Sequence, residues 1–196
     1  AGCVGWTTKM TKPDAIGTKS VVVGGSVLTL ATGALIAFIG LWEGAGTKVY
    51  ADKLAGGLPT ACGGLTRHIT DTPIIVGDVW SREKCDAEMG KALTKVQYQL
   101  AKCFKVGPPQ SVFDAATSHA WNVGAPSTCA SGAMQAWNRG DWKLGCQRLY
   151  QSDAGKPVWS YVKTGRTVAG KPEMKFVQGL ANRRQAEFRY CIAVVG

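Results

Sequence analysis

The chain has 196 residues, of which 45% are hydrophobic, and its formal net charge is +10. This length predicts one domain or at most two, and the apolar fraction is sufficient for a packed core. The positive charge favours polyanionic partners such as nucleic acid, anionic lipid or an acidic cell envelope. The basic residues are scattered, with no run of five or six, so no specific nucleic-acid site is predicted. The alternative to a polyanion-binding site is a basic surface that is simply solvated.

Seven cysteines are spread along the chain without any CxxC pair: Cys3, Cys62, Cys85, Cys103, Cys129, Cys146 and Cys191. His68 and His119 are the only histidines, and neither is close to a second ligand at zinc-finger spacing, so no metal site is predicted. Widely spaced cysteines in a domain of this size favour disulfides and an oxidising compartment, with buried free thiols as the alternative.

Residues 20–42, SVVVGGSVLTLATGALIAFIGLW, carry no charge over 23 positions. A helix of that length can cross a bilayer, and Lys9, Lys12 and Lys19 before it would keep the N-terminus in the cytoplasm. Eleven of the positions are Gly, Ala, Ser or Thr, so its insertion should be marginal. The run therefore predicts an export or anchoring helix, with a cleaved signal peptide or a buried core helix as alternatives.

The remaining chain predicts a mostly helical α+β fold. Residues 48–66 are Gly-rich and indicate a small β-hairpin, and Ser81 can cap a long helix whose apolar stripe runs from Cys85 to Cys103. Gly-Pro-Pro at 107–109 ends that helix. Further helices are predicted at 110–122, 131–138, 141–151 and 177–193, with a loop-rich segment at 152–175.

The carboxylates are the main candidates for catalysis, because no GxSxG, P-loop or HExxH motif occurs and neither histidine is placed to activate a cysteine. Glu43 directly follows Ile-Gly-Leu-Trp, and apolar surroundings favour the protonated carboxyl that a general acid needs. Asp52 lies in a polar hairpin, and two carboxyls in contrasting environments are typical of glycosidic-bond cleavage. Thr60, across the hairpin, could hold a water beside Asp52. The alternative is that Glu43 simply ends a helix in solvent.

Several segments resemble phage-type lysozymes, and they follow one another in that family's order. EGAGTKVYAD at 43–52 is similar to the start of the family's catalytic motif, and GLPTACGGLT at 57–66 to the segment that carries its Thr. SHAWNVGA at 118–125 resembles the aromatic-Asn-Val-Gly stretch that lines the cleft. GDWKLGCQRL and GLANRRQAEFRYC resemble the closing helices, so the likeness covers about residues 43–193.

This resemblance implies a two-lobed lysozyme-like fold and a muramidase that cleaves peptidoglycan with inversion and without a cofactor. It implies Glu43 as the general acid, and Asp52 with Thr60 as the groups that position and activate water. Trp121 and Asn122 are implied as cleft contacts, although core packing is an alternative for Trp121.

The likeness to cysteine-rich members of the family, and the placement of each pair in adjoining elements, imply three disulfides. These are Cys62–Cys85, Cys103–Cys129 and Cys146–Cys191, which leaves Cys3 free or intermolecular. The sequence departs from the family in the seven residues between Asp52 and Thr60, where five are usual, and in Leu65, where the family often has a histidine. A lengthening by two residues preserves the strand facing, because side chains alternate with period two.

The apolar run directly before Glu43 resembles signal-anchor-release endolysins, in which a weak N-terminal helix exports and tethers the enzyme. Residues 1–42 would then form the anchor segment, and 43–196 a monomeric lysozyme domain acting on peptidoglycan. The protein would first lie in the host inner membrane through residues 20–42 and then in the periplasm, where the helix would dock on the domain. The rivals are a lytic transglycosylase, which needs no water-activating Asp, and a non-catalytic basic protein that binds the wall or the membrane.

Overall fold

The computed structural model describes residues 19–44, 46–52 and 56–195, so the expectations for Cys3, Lys9 and Lys12 lie outside the described residues. Within these ranges the chain forms seven helices and three separate two-stranded antiparallel hairpins. The strands are β1 (Ser20–Val23), β2 (Ser26–Thr29), β3 (Tyr50–Asp52), β4 (Leu58–Thr60), β5 (Tyr161–Val168) and β6 (Lys171–Phe176). The helices are α1 (Gly33–Glu43), α2 (Arg82–Ala101), α3 (Gln110–Val123), α4 (Ala125–Cys129), α5 (Gly132–Trp137), α6 (Trp142–Gln147) and α7 (Gln178–Ile192).

The prediction of one helix over residues 20–42 is wrong for this structure, because the run forms the β1–β2 hairpin followed by α1. Gly24 and Gly25 form the two-residue turn with φ of +53° and +86°, which suits a hairpin turn and which β-branched residues do not tolerate. The Val-rich flanks favour strands. Helix α1 begins only at Gly33, where the Thr32 hydroxyl accepts from the Leu35 amide at 3.1 Å. Among the described residues, no helix has both the length and the apolar character needed to cross a bilayer.

This N-terminal segment is fastened to the rest of the fold by side chains of α2 and α3. Gln110 bonds to both the amide and the carbonyl of Thr29, at 2.9 and 3.0 Å. The Ala31 amide donates to Gln97 at 2.7 Å, and the Thr32 hydroxyl donates to Asp114 at 3.0 Å. The segment therefore docks on the domain, in a different conformation from the predicted helix.

Two clusters of buried apolar side chains form the two lobes, and α2 contributes to both. The smaller cluster holds Leu35 and Ile39 of α1 together with Leu93 near the middle of α2. The larger cluster surrounds α3, all of whose residues from 111 to 120 are buried, and it includes Leu100 near the end of α2. The long α2 helix therefore contributes to both clusters, and residues of the predicted apolar stripe, such as Met89 and Leu100, are among those that it buries.

Three disulfides link neighbouring elements, and they are the pairs that the family resemblance implied. Cys62–Cys85 joins the segment after β4 to α2, Cys103–Cys129 joins the end of α2 to α4, and Cys146–Cys191 joins α6 to α7. A disulfide that closes a loop typically stabilises a domain by about 2–4 kcal/mol.

The segment at 152–175 is not the loop-rich stretch that the sequence predicted, because most of it belongs to the β5–β6 hairpin. Tyr161 pairs with Phe176 at one end of the ladder and Val168 pairs with Lys171 at the other. Every residue of β5 is exposed, so the strand buries neither face and lacks the alternation of apolar and polar residues that reveals a half-buried strand.

Candidate active site

Glu43 is the last residue of α1 and lies against a glycine turn. A Cβ placed on Gly63 would be 2.7 Å from the Gly44 carbonyl oxygen and 2.9 Å from Cβ of Glu43, so only glycine allows this approach. A Cβ placed on Gly64 would be 3.6 Å from both Glu43 Oε2 and Trp121 Nε1. The carboxylate and the indole therefore border the same small space.

Arg183 of α7 forms an ion pair with Glu43 across 140 residues of sequence. Its side chain is 5% exposed, whereas that of Glu43 is 23% exposed, so the pair lies at the edge of the interior with the carboxylate towards solvent. Arg183 is itself held by Glu187 Oε1 at 3.3 Å and by the Ser118 carbonyl at 3.4 Å. The expectation of a simple apolar wall around Glu43 is thus incomplete, because a fixed guanidinium contacts its carboxylate.

Glu187 holds Arg183 in place from the interior side of the Glu43–Arg183 pair. Its Oε1 accepts from the Ser118 hydroxyl and from Arg184 Nη2, each at 2.8 Å, in addition to Arg183 Nε. Burial raises the pKa of Glu187 and lowers the pKa of Arg184 to about 10, because both charged forms have been removed from water. Desolvation therefore outweighs the favourable contacts in both groups, and among the described residues Glu187 Oε2 and Arg184 Nε and Nη1 have no hydrogen-bond partner.

His119 lies beside this cluster and is fully buried. Burial lowers its pKa well below the usual value, and the charges of Arg184 and Arg183 lower it further, so the imidazole is neutral. Its Nδ1 lies 2.9 Å from the Thr128 hydroxyl, and the ring meets Trp159 edge-on with centroids 4.9 Å apart. His119 is therefore a packed core residue.

The β3–β4 hairpin carries Asp52 and Thr60. Tyr50 pairs with Thr60 and Asp52 pairs with Leu58, so the side chains of all four residues lie on the same face of the hairpin. Asp52 is half-buried, whereas Thr60 is buried and donates its hydroxyl to the Leu58 carbonyl at 3.1 Å. Residues 53–55 of the lengthened turn lie outside the described residues. Only Ala61 and Cys62 separate Thr60 from Gly63, so this hairpin leads directly into the Gly63–Gly64 turn against which Glu43 lies.

The two expected cleft contacts lie at the end of α3 and differ in their surroundings. Trp121 is half-buried and close to Glu43, while Asn122 is exposed. The geometry thus brings Glu43, Trp121 and Arg183 together, and it puts Asp52 and Thr60 on the neighbouring hairpin.

Comparison with known proteins decides the family. Residues 40–187 match the phage lysozyme family, which is most of the chain and includes every candidate residue above. The chain belongs to the phage lysozyme family.

Relatives and solved structures agree with this lysozyme assignment. The SAR-endolysin of Pseudomonas phage phiKMV is 30% identical over 169 residues, which cover 86% of this chain and 89% of the relative. The endolysin from Escherichia coli O157:H7 phage FAHEc1 superposes with a TM-score of 0.65 at 25% identity, over 83% of this chain and 92% of its own. A P22 lysozyme mutant superposes with a TM-score of 0.66 at 18% identity, over 83% and 98% of the two chains. These matches confirm the predicted α+β, mostly helical, lysozyme-like fold.

The sequence did not identify Arg183, Glu187 or the Gly63–Gly64 turn as parts of this lysozyme site. A signal was present in Asn-Arg-Arg-Gln-Ala-Glu at 182–187, where two arginines precede a glutamate by four and three residues and so share one helix face with it. That spacing indicates a charge cluster within α7. It carries no information about the fourth member, Glu43, which only the fold brings near.

Proposed function

We propose that this phage lysozyme is a muramidase that hydrolyses the β-1,4 bond between N-acetylmuramic acid and N-acetylglucosamine of peptidoglycan. Membership of the family supports a peptidoglycan hydrolase. The observation that carries the finer proposal is the position of Glu43, which ends α1 beside Trp121 and contacts Arg183.

Glu43 is the general acid in this proposal. In its protonated form it donates to the glycosidic oxygen as the bond to the anomeric carbon breaks. The carboxylate that remains is then stabilised by the guanidinium of Arg183, which is already fixed by Glu187 and Ser118. A donor placed beforehand where negative charge develops lowers the barrier without reorganisation during the reaction.

Asp52 and Thr60 position the water that attacks the anomeric carbon from the opposite face, and the water's proton passes to the Asp52 carboxylate. The product has inverted configuration, since no covalent intermediate forms. Inverting enzymes hold their two carboxyls about 6.5–9.5 Å apart to leave room for this water. The chemistry consists of proton transfer and water attack, so it needs no cofactor, and we propose that a monomer performs it.

Trp121 and Asn122 contact the sugar in this proposal. The half-buried Trp121 offers part of its ring to a sugar face beside Glu43, while the exposed Asn122 amide can bond to the polar substituents of the next unit.

Glu43→Gln tests the assignment of the general acid. The amide keeps the shape and removes the proton, so hydrolysis of purified peptidoglycan should fall by about 10²–10⁴-fold. Glu83→Gln, at an exposed site in the first turn of α2, is the matched control and should keep wild-type activity. A Glu43→Gln enzyme with a tenth of the wild-type rate would contradict the assignment.

Mass spectrometry of the released muropeptides separates the two enzymatic candidates. A muramidase leaves a reducing N-acetylmuramic acid that has gained one water, whereas a lytic transglycosylase leaves an anhydro-sugar. The half-buried Asp52, on the hairpin that leads into the Gly63–Gly64 turn, favours the hydrolase. Anhydro-products alone would exclude it.

We also propose that residues 1–42 act as a signal anchor that holds the enzyme in the host inner membrane before its release to the periplasm. The relatives named as SAR-endolysins support this, as does the uncharged run from 20 to 42. As one helix these 23 residues would span about 35 Å, which is enough to cross a bilayer core. Release would require the run to convert into the hairpin and helix described above.

Membrane fractionation after expression tests the anchor. Gly33 and Gly40 are exposed, and a Cβ placed at either would have no neighbouring atom within 4 Å, so these positions are suited to Leu substitutions that add apolar area. The double Leu variant should stay in the membrane fraction and delay lysis, whereas Ser at the same two positions should release at least as readily as wild type. Equal release of the Leu and wild-type proteins would contradict the proposal that weak hydrophobicity frees the enzyme.

A further inference from the structure

The β5–β6 hairpin extends from the domain into solvent. All residues of β5 are exposed, and within β6 only Glu173 is half-buried. A lone two-stranded hairpin buries little area and is at best marginally stable in water. Burial within the domain therefore contributes little to the stability of this hairpin, which favours a contact with a partner outside the domain.

The hairpin carries four basic side chains: Lys163, Arg166, Lys171 and Lys175. None of them takes part in an ion pair with another described residue. The single carboxylate, Glu173, accepts from the Thr164 hydroxyl at 2.6 Å. The hairpin is thus a concentrated positive surface on a protein whose other cations are scattered.

The cations lie on both faces of the hairpin, and so do the apolar side chains. The strand pairing assigns the side chains to the two faces. One face carries Tyr161, Lys163, Met174 and Phe176, and the other carries Val162 and Lys175. An irregularity between Lys163 and Thr167 interrupts the ladder, and beside it an open groove of about 490 Å³ is lined by Thr164, Arg166, Glu173, Met174 and Lys175. A segment that inserts into a lipid surface instead needs one apolar face and one charged face.

The base of the hairpin is connected to elements that form the catalytic site. Trp159, just before β5, packs on His119, which lies two residues before Trp121 in α3. The Ser160 carbonyl accepts from the Val177 amide at 2.8 Å and closes the base, and α7 begins at the next residue. Arg183 follows Val177 by six residues, which corresponds to about 9 Å of helix.

We propose that the β5–β6 hairpin is an accessory binding surface for peptidoglycan, whose stem-peptide carboxylates pair with its cations while the sugar chain occupies the cleft. This inference rests on the proposed muramidase function, because it names a second contact for the same polymer. The stem peptides carry free carboxylates at regular intervals along the glycan. A narrow hairpin with cations on both faces can meet such groups from more than one strand of the wall.

Binding to purified sacculi tests the proposal in a Glu43→Gln background, where the wall is not degraded. The hairpin variant Lys163→Gln/Arg166→Gln/Lys171→Gln/Lys175→Gln should raise the Kd measured by co-sedimentation by about tenfold. The control Lys102→Gln/Lys105→Gln/Arg139→Gln/Lys143→Gln removes the same charge from exposed sites elsewhere and should change the Kd by less than about twofold. Equal losses in the two variants would overturn the proposal, because net charge alone would then explain binding.

Phosphatidylglycerol vesicles provide the competing arm of the test. The proposal expects the hairpin and control variants to lose vesicle binding to the same extent. If the hairpin variant binds sacculi like wild type but loses the vesicles, the hairpin is a lipid-binding surface and the proposal is wrong.

Kinetics with Glu43 intact separate this inference from the proposed function. On intact sacculi the hairpin variant should show a KM raised by about tenfold with kcat unchanged, since only ground-state binding is lost. On glycan strands from which an amidase has removed the stem peptides, it should match wild type. Amide hydrolysis leaves one lactyl carboxylate on each N-acetylmuramic acid, so an equal loss on both substrates would refute the role of the stem-peptide carboxylates in particular. If the wild type cleaves neither substrate, the muramidase proposal fails, while the sacculus-binding result still decides whether the hairpin binds the wall.

Discussion

Replacing Glu187 by Met should be among the most destabilising single changes in this lysozyme. The side chain of Glu187 is fully buried and its Oε1 accepts from three donors, Ser118 Oγ, Arg183 Nε and Arg184 Nη2. Methionine has a similar volume but no acceptor that could replace the carboxylate. The change leaves two buried guanidinium groups without their shared partner.

The expected cost follows from that uncompensated charge. Removing one partner of a buried ion pair costs about 3–5 kcal/mol. A domain of this kind is stable by about 5–15 kcal/mol, so at least about a fifth and at most all of the free energy of unfolding would be lost. The double variant Arg184→Met/Glu187→Met removes one charge of each sign, and it should therefore be more stable than Glu187→Met alone.

Urea unfolding at neutral pH with the disulfides intact measures these differences, because at equal m-values a shift in midpoint reports the change in stability. Glu83→Met, at an exposed position in the first turn of α2, is the control and should cost no more than about 1 kcal/mol. It loses only a first-turn charge and its contact with the N-cap Ser81. A Glu187→Met protein within about 1 kcal/mol of wild type would refute this account of the cluster. A double variant less stable than the single variant would refute the charge-balance argument.

Two further predictions concern acid stability and core packing. The Lys91 ammonium, with hydrogen bonds from Thr70 and Thr72, lowers the pKa of Glu88 from 4.5 to about 2. This contribution, about 1–2 kcal/mol, is therefore complete above pH 4.5 and is lost as the pH falls through 2. Urea midpoints measured from pH 6 to pH 2 should fall less for Glu88→Gln than for wild type, and parallel curves would contradict the assignment. In the core, a Cβ at Gly145 would lie 2.2 Å from the buried Trp137 ring. Gly145→Ala should therefore reduce the free energy of unfolding by about 1–3 kcal/mol or more, which is measured as a lower thermal midpoint. Gly179→Ala, with no atom within 4 Å, is the control, and equal midpoints for the two variants would show that the ring can move aside.

The sequence predicted the three longest helices best. The bounds of α2, α3 and α7 were predicted within a few residues, and for α2 the signal was the apolar stripe at helical spacing. The hairpin that carries Asp52 and Thr60 was also predicted, from the glycines at its turn. The N-terminal run was mispredicted because its length and lack of charge suggested a single helix, while Gly24 and Gly25 in fact reverse the chain. The β5–β6 hairpin gave no periodic signal because it buries neither face.

The candidate site was only partly predictable for a similar reason. Glu43 stood out by its local sequence, since it follows an apolar run and begins a recognisable motif. Arg183 did not, because a cation on an amphipathic helix normally faces solvent and its partner here is 140 residues away. The pairing depends on how α1 and α7 pack, and α1 itself was hidden within the longer apolar run. Local sequence therefore identified the group proposed to react, whereas the group that holds it required the fold.

The turn of the β1–β2 hairpin meets the loop between α2 and α3 backbone against backbone. A Cβ at Gly24 would lie 2.2 Å from the Gly107 amide nitrogen, and a Cβ at Gly107 would lie 2.7 Å from the Val23 carbonyl oxygen. Neither position can gain a side chain while the other loop keeps its course. The two sites should therefore change together among descendants of a common ancestor, even though 83 positions separate them in the sequence. Lineages that keep both glycines would be those whose N-terminal segment still seats on the domain in this way, which makes the pair a marker for tracing when that arrangement arose.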